Sequence, residues 1–168
     1  MQGWSYRLRH QNMIERSVII ECPVESVYGF YRDFRNLPQF LGDVMDIEQT
    51  SPTTFRWTIK GPLHIQAHWT IKVTKTRTNE FICYETVGSP SLRSCWEIYF
   101  SPGRHTDQTQ VREVLRPPLG RLGRVALALM GKFPAEELAA NLHRLKQVME
   151  TGRVTDTSYS VAGKFAER

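Results

Sequence analysis

From residue 43 to residue 116 apolar side chains recur at every second position, and this period of two predicts strands near 44–50, 53–60, 63–76, 80–87, 92–101 and 107–116. The stretch 63–73 alternates most cleanly: Leu63, Ile65, Ala67, Trp69, Ile71 and Val73 share one face, and His64, Gln66, His68, Thr70 and Lys72 share the other. The same test places Phe55, Trp57 and Ile59 inside, and Ser94, Trp96, Ile98 and Phe100 inside. Val111, Glu113 and Leu115 share a face opposite Arg112, Val114 and Arg116, with Val114 breaking the alternation. Turn residues punctuate the run at Ser51-Pro52, Gly61-Pro62, Thr78-Asn79, Gly88-Ser89-Pro90 and Ser101-Pro102-Gly103. Connections this short pair neighbouring strands antiparallel.

On either side of this run the period changes. Residues 14–22 are short and β-branched and stop at Pro23, a further strand signal. Val27, Phe30, Tyr31 and Phe34 then fall at helical spacing. A second short helix is expected to be capped by Asn36, with Pro38 in its first turn and Gly42 as its stop. After Pro117-Pro118 a helical pattern runs from Leu119 to Met130, is interrupted by Gly131 and Pro134, and resumes with Glu136 and Glu137 in a first turn. Leu138, Leu142, Leu145 and Met149 form its apolar stripe, and Gly152 ends it. The order is strand, two short helices, six strands and a long broken helix, an α+β domain. Its curved antiparallel sheet of about seven strands must bury one face, and the last helix is the only large partner available. The expected organisation is an arm over 1–11, a domain over 12–152 and a disordered tail over 153–168, which is polar and aperiodic.

Composition changes this picture little. A chain of 168 residues is long enough for one domain with a real core. Three cysteines (Cys22, Cys83 and Cys95) without CxxC spacing suggest neither a disulfide framework nor a zinc site, and read as small buried hydrophobes in a reducing compartment. No apolar run resembles a signal peptide or reaches spanning length, so a cytoplasmic protein is expected. The net charge of +5 gains meaning only in its distribution. Between residues 112 and 132, Arg112, Arg116, Arg121, Arg124 and Lys132 oppose Glu113 alone and interleave with Leu119, Leu122, Val125, Leu127, Leu129 and Met130. Two readings stay open for Arg121, Arg124 and Lys132: peripheral docking on an anionic membrane, or the solvated face of an ordinary helix. Nucleic acid is not expected, because the aromatic residues read as an inner face rather than as exposed stacking platforms.

Candidate chemistry is sparse. His64 and His68 lie on the outer face, about 13 Å apart along a strand; His10, His105 and His143 fall in the arm, a turn and the side of a helix. No metal site, cofactor-binding glycine loop or nucleophile motif is expected. Glu113 is the exception, a carboxylate on an apolar face. It would receive a ligand hydroxyl or serve as an acid/base, or it reflects a register error or a pairing with an arginine near a sheet end. The aromatic inner face likewise has two readings, a filled core or a pocket. An empty cavity of about 300 Å³, at about 24 cal/mol per Å³, would cost roughly 7 kcal/mol. A pocket should therefore be small, wet or occupied.

Several phrases carry a family resemblance: Asp33-Phe34-Arg35-Asn36-Leu37-Pro38-Gln39-Phe40, Gly61-Pro62 with Trp69, Pro117-Pro118-Leu119-Gly120, and Leu142 to Gly152. With the order of elements, they make residues 12–153 resemble the START-like (SRPBCC) superfamily, in the branch of polyketide cyclase/dehydrase and coenzyme Q-binding proteins. The resemblance implies a helix-grip fold and an apolar ligand held between the sheet and the C-terminal helix, such as an isoprenoid quinone, a lipid or a polyketide. The expected lining is Phe55, Trp57, Trp69, Tyr84, Ser94, Trp96, Val111, Glu113, Leu138 and Leu142. Three functions remain open: a carrier without catalysis, a polyketide cyclase or dehydratase using Glu113, and a membrane-docking adaptor without a ligand.

Overall fold

The computed structural model describes residues 13–60, 65–88, 93–118, 134–160 and 163–166. Through them the chain forms β1 (Ile14–Ile20), α1 (Val24–Arg32), a 3-10 helix (Phe34–Gln39), β2 (Val44–Ser51), β3 (Thr54–Lys60), β4 (Gln66–Arg77), β5 (Phe81–Thr86), β6 (Cys95–Pro102), β7 (Thr109–Arg116) and α2 (Pro134–Thr151). The seven strands make one antiparallel sheet in the order β1-β7-β6-β5-β4-β3-β2. All neighbours from β2 to β7 are joined by short connections. Only β1 pairs across the sequence, with Ile14 opposite Leu115 and Ile20 opposite Thr109. The sheet curves over α2, the helix-grip α+β arrangement.

The alternation of β3 and β4 is realised in their register. Phe55 pairs with Ile71, Trp57 with Trp69 and Ile59 with Ala67, all on the concave face. That face and the stripe of α2 form the core, where Ile20, Val44, Ile47, Phe55, Trp57, Ile71, Ile82, Ile98 and Val111 meet Leu142, Leu145 and Val148. Val114 is buried although it lies on the convex face. Its register partners are Glu15 and Glu97, and ion pairs Arg112–Glu15 and Arg116–Glu97 flank it. That is why the alternation of β7 looks broken in sequence.

α1 buries Val27, Tyr28 and Tyr31, and the 3-10 helix buries Phe34 and Leu37. The cap of the 3-10 helix differs from expectation. Asp33 is the N-cap, its Oδ1 accepting from the Arg35 amide, while Asn36 sits inside and donates Nδ2 to the Phe30 carbonyl. Asp33 also holds the Arg35 guanidinium, with Nε at 2.8 Å and Nη2 at 2.7 Å, so it offers the earlier cap a carboxylate that is already oriented. α2 ends at Gly152, whose φ of +82° is left-handed and whose amide donates to the Val148 carbonyl.

Beyond α2, residues 154–160 and 163–166 make specific contacts. Gln147 Oε1 accepts from the amides of Thr155 and Asp156, and its Nε2 donates to the Asp156 carbonyl. Lys164 Nζ donates to the carbonyls of Pro38 and Val44. Arg144, with 1% of its side chain exposed, donates to the Phe40 carbonyl, Glu137, Asn141 and Ser160, and lies 4.7 Å from the Phe165 ring centroid. These polar residues lack periodicity because they bind point by point rather than along one face. Among the described residues, no helix is long and apolar enough to cross a membrane. The expected helix 119–130, with Arg121, Arg124 and Lys132, lies outside the described residues, as do the arm 1–11, Leu63 and His64.

Candidate functional site

The concave face collects rings around Phe34. That residue ends the apolar stripe of α1 and so projects from the 3-10 helix onto the sheet. Its ring centroid lies 4.7 Å from Phe55, 5.9 Å from Trp57 and 5.2 Å from Tyr84. Tyr84 also meets Trp57 at 5.7 Å and stacks on Trp96 at 5.2 Å with 16° between planes. Four of the expected lining residues, Phe55, Trp57, Tyr84 and Trp96, are thereby joined in one aromatic wall. Val111, Leu142 and Leu138 are buried; the first two belong to the central core cluster and Leu138 does not. Ser94 is buried just before β6, where its amide donates to Thr86 Oγ1 at 2.9 Å.

Trp69 differs in depth. Its register with Trp57 puts it on the concave face, but it is 43% exposed, and Ile65 beside it is 64% exposed. Alternation fixes the face a side chain takes but not its distance from the rim. Ile65, Ala67 and Trp69 therefore form an open, apolar end of the grip.

Glu113 is 2% exposed. Burial pushes its carboxyl up to about 8, and among the described residues its Oε2 has no hydrogen-bond partner. Among the described residues no arginine pairs with Glu113. Arg16 stands directly opposite Glu113 in the β1–β7 register, yet its side chain is exposed and donates to the Glu15 carbonyl at 2.8 Å. A solvated guanidinium at the sheet edge keeps its hydration, whereas reaching inward would strip it. A register error is excluded by the same pairing, since Glu113 opposes the buried, concave-facing Ile98.

Two hydroxyls share the interior with this carboxyl. Tyr31 Oη, from α1, lies 3.4 Å from Tyr84 Oη, from β5. Burial first, and then the charge of Glu113, push both phenols well above their ordinary range. Trp57 Nε1 is buried on the same concave face and has no partner among the described residues. An apolar wall thus carries one acid, two phenols and an indole donor, with an acceptor and a donor both unsatisfied. Unpaired buried polar groups cost about 1–3 kcal/mol each and are rare. Tyr31 escapes a reading of strands alone. Its signal was a phenol within the Val27–Phe30–Tyr31–Phe34 stripe, a polar tip that a helix buried for packing does not need.

A protein from Deinococcus radiodurans shares the fold with a TM-score of 0.64 at 22% identity, over 83% of this chain and 98% of that one. One from Arthrobacter aurescens gives 0.70 at 13% identity, over 88% and 91%. A START superfamily protein from Mycobacterium smegmatis gives 0.62 at 15% identity, over 81% and 98%. No curated protein sequence matches the chain significantly. Residues 12–150 match the family described as polyketide cyclase / dehydrase and lipid transport, a span that holds every element from β1 to α2 except the last residue of α2, and the chain belongs to that family.

Proposed function

We propose that this protein binds and carries an apolar small molecule, an isoprenoid quinone, lipid or polyketide, whose polar end is received by Glu113, Tyr31 and Tyr84. The observation that carries the reading is the Oε2 of a fully buried carboxyl, unpartnered among the described residues. With its pKa near 8, Glu113 is about ten parts neutral to one part charged at pH ~7. A neutral carboxyl both donates and accepts, so it suits a ligand hydroxyl or carbonyl, while burial in an apolar wall disfavours an anionic head by stripping its hydration. The aromatic wall supplies apolar contact along the ligand, and the exposed Trp69 and Ile65 supply an entrance. Phe55, Trp57, Trp96, Val111, Leu138 and Leu142 line the apolar path in this reading.

Detergent-free protein examined by native mass spectrometry, after incubation with a quinone, a long-chain alcohol and a fatty acid, tests this. The parent should hold one neutral ligand, and Ala67→Trp, which narrows the exposed end, should hold none while keeping its unfolding midpoint. Equal occupancy in the two proteins, or a bare parent, refutes the carrier reading.

A second reading has its own support. An acid whose pKa lies near neutrality can both take and give protons during turnover, which is the requirement for cyclisation and dehydration of a polyketide. In it, Glu113→Gln abolishes turnover while ligand occupancy persists; equal turnover in variant and parent eliminates it.

A further inference from the structure

The convex face of the sheet carries a different chemistry, independent of the ligand reading. Cys83 on β5 pairs in register with Glu97 on β6, and Cys95 on β6 pairs with Glu85, so the two cysteines are diagonal neighbours. Their Sγ atoms lie 3.8 Å apart. Together with a Glu97 carboxylate oxygen, they form a group whose ligand atoms all fall within 4.8 Å of one another. We propose that Cys83, Cys95 and Glu97 bind a single zinc-like cation in a tetrahedral site, with water in the fourth position.

Three observations support the site. First, two sulfurs at about 2.3 Å from a tetrahedral ion are separated by about 3.8 Å, the edge of that tetrahedron; the thiols already stand at this spacing. Second, the geometry disfavours the obvious competitor. Diagonal residues of an antiparallel pair have Cα atoms about 7–8 Å apart, at or beyond the reach of a disulfide. A bridging metal spans what an S–S bond does not. Third, the groups around the ligands are placed as an outer shell. Thr74, the extra residue of the bulge between Val73 and Lys75, sets its hydroxyl 3.3 Å from Cys83 Sγ. Tyr99 Oη donates to Glu97 Oε2 at 3.1 Å, and Arg116 Nη1 donates to Oε1 at 2.5 Å. Oriented ligands of this kind are the pattern of metal sites.

The charge balance is favourable. On binding, both S–H bonds break, two protons leave to solvent, and two sulfur–metal bonds form. Two thiolates, one carboxylate, one divalent ion and the Arg116 guanidinium sum to zero. Two thiolates select zinc, cadmium or cuprous ions over magnesium or calcium. Cys83 is buried, but Cys95 and Glu97 are only partly so, which leaves an approach from solvent.

The test uses the full chain, stripped with a chelator and kept reduced, titrated with Co²⁺ and then with Zn²⁺. The expected result is one equivalent of Co²⁺ giving a thiolate-to-cobalt charge-transfer band with tetrahedral d–d bands, both erased by Zn²⁺. Cys83→Ser and Cys95→Ser should each weaken binding at least tenfold, and Cys22→Ser should leave it unchanged. No band in the reduced parent, or a band that survives in the Cys83→Ser/Cys95→Ser double variant, overturns the proposal. The parent titration stands even where a variant fails to fold.

Discussion

Glu113→Gln, followed by stability as a function of pH, tests the central claim that a neutral acid is buried without a partner. In the folded protein the carboxyl titrates near 8, against an ordinary value of 4.5. Between those values the folded state holds a proton that the unfolded chain has released. The unfolded state therefore binds fewer protons, and stability falls as pH rises, by up to about 1.4 kcal/mol per unit. Over the whole window the loss is roughly 5 kcal/mol, against total stabilities of about 5–15 kcal/mol. Above about pH 8 the dependence from this group flattens. The groups facing Glu113 do not alter the sign: the tyrosines stay protonated because burial raises them, and the cross-strand Arg16 points to solvent. Gln is close in shape and carries no titratable proton. Urea midpoints measured from about pH 5 to about pH 9 should therefore converge for parent and variant at the acid end, diverge up to about pH 8 and run parallel beyond it. Curves parallel over the whole range would refute the reasoning, because they would mean that Glu113 is ionised in the folded state and paired, Arg16 being the group in register to do it.

Trp69→Ala should change the unfolding free energy by about 1 kcal/mol or less, because the side chain is 43% exposed, yet reduce ligand uptake measured by native mass spectrometry. Arg144→Met should cost about 3–5 kcal/mol in urea titrations, since it breaks a buried ion pair with Glu137 and contacts to the Phe40 carbonyl and Asn141. Gly163→Ala should release the C-terminal segment, because the new Cβ would lie 2.3 Å from the Gly42 carbonyl oxygen at a φ of +77°. Limited proteolysis should then cut between residues 154 and 166 at least tenfold faster, a loss of local stability of about 1.4 kcal/mol or more.

The sheet was legible because its faces are chemically distinct. The alternation of Phe55, Trp57 and Ile59, and of Ile65 to Val73, predicts the shared inner face on which Trp57 pairs with Trp69. What the pattern could not carry was depth, so Trp69 and Glu113 look alike on paper and differ by forty points of exposure. Relations between distant segments were equally hidden. Tyr31 and Tyr84 meet only because α1 packs across the sheet, and Cys83 and Cys95 meet only through the β5–β6 register. Buried Arg144 and Gln147 look like solvent-facing residues of α2 until the segment after the helix supplies their partners. Short-range physics writes itself into spacing, whereas long-range partnership requires the fold.

The pairing of β1 with β7 sets the order in which the protein can be made. Ile14 reaches its partner Leu115 only after about a hundred further residues have been synthesised, roughly 5–20 s at about 5–20 residues per second. During that interval β2 to β6 can zip as successive hairpins, while the first strand of the chain has no neighbour. Ordering so long a loop slows its closure. Completion of the sheet should thus be the late step of folding. The waiting strand, with apolar Ile14, Val18, Ile19 and Ile20, is the segment with most to gain from a chaperone.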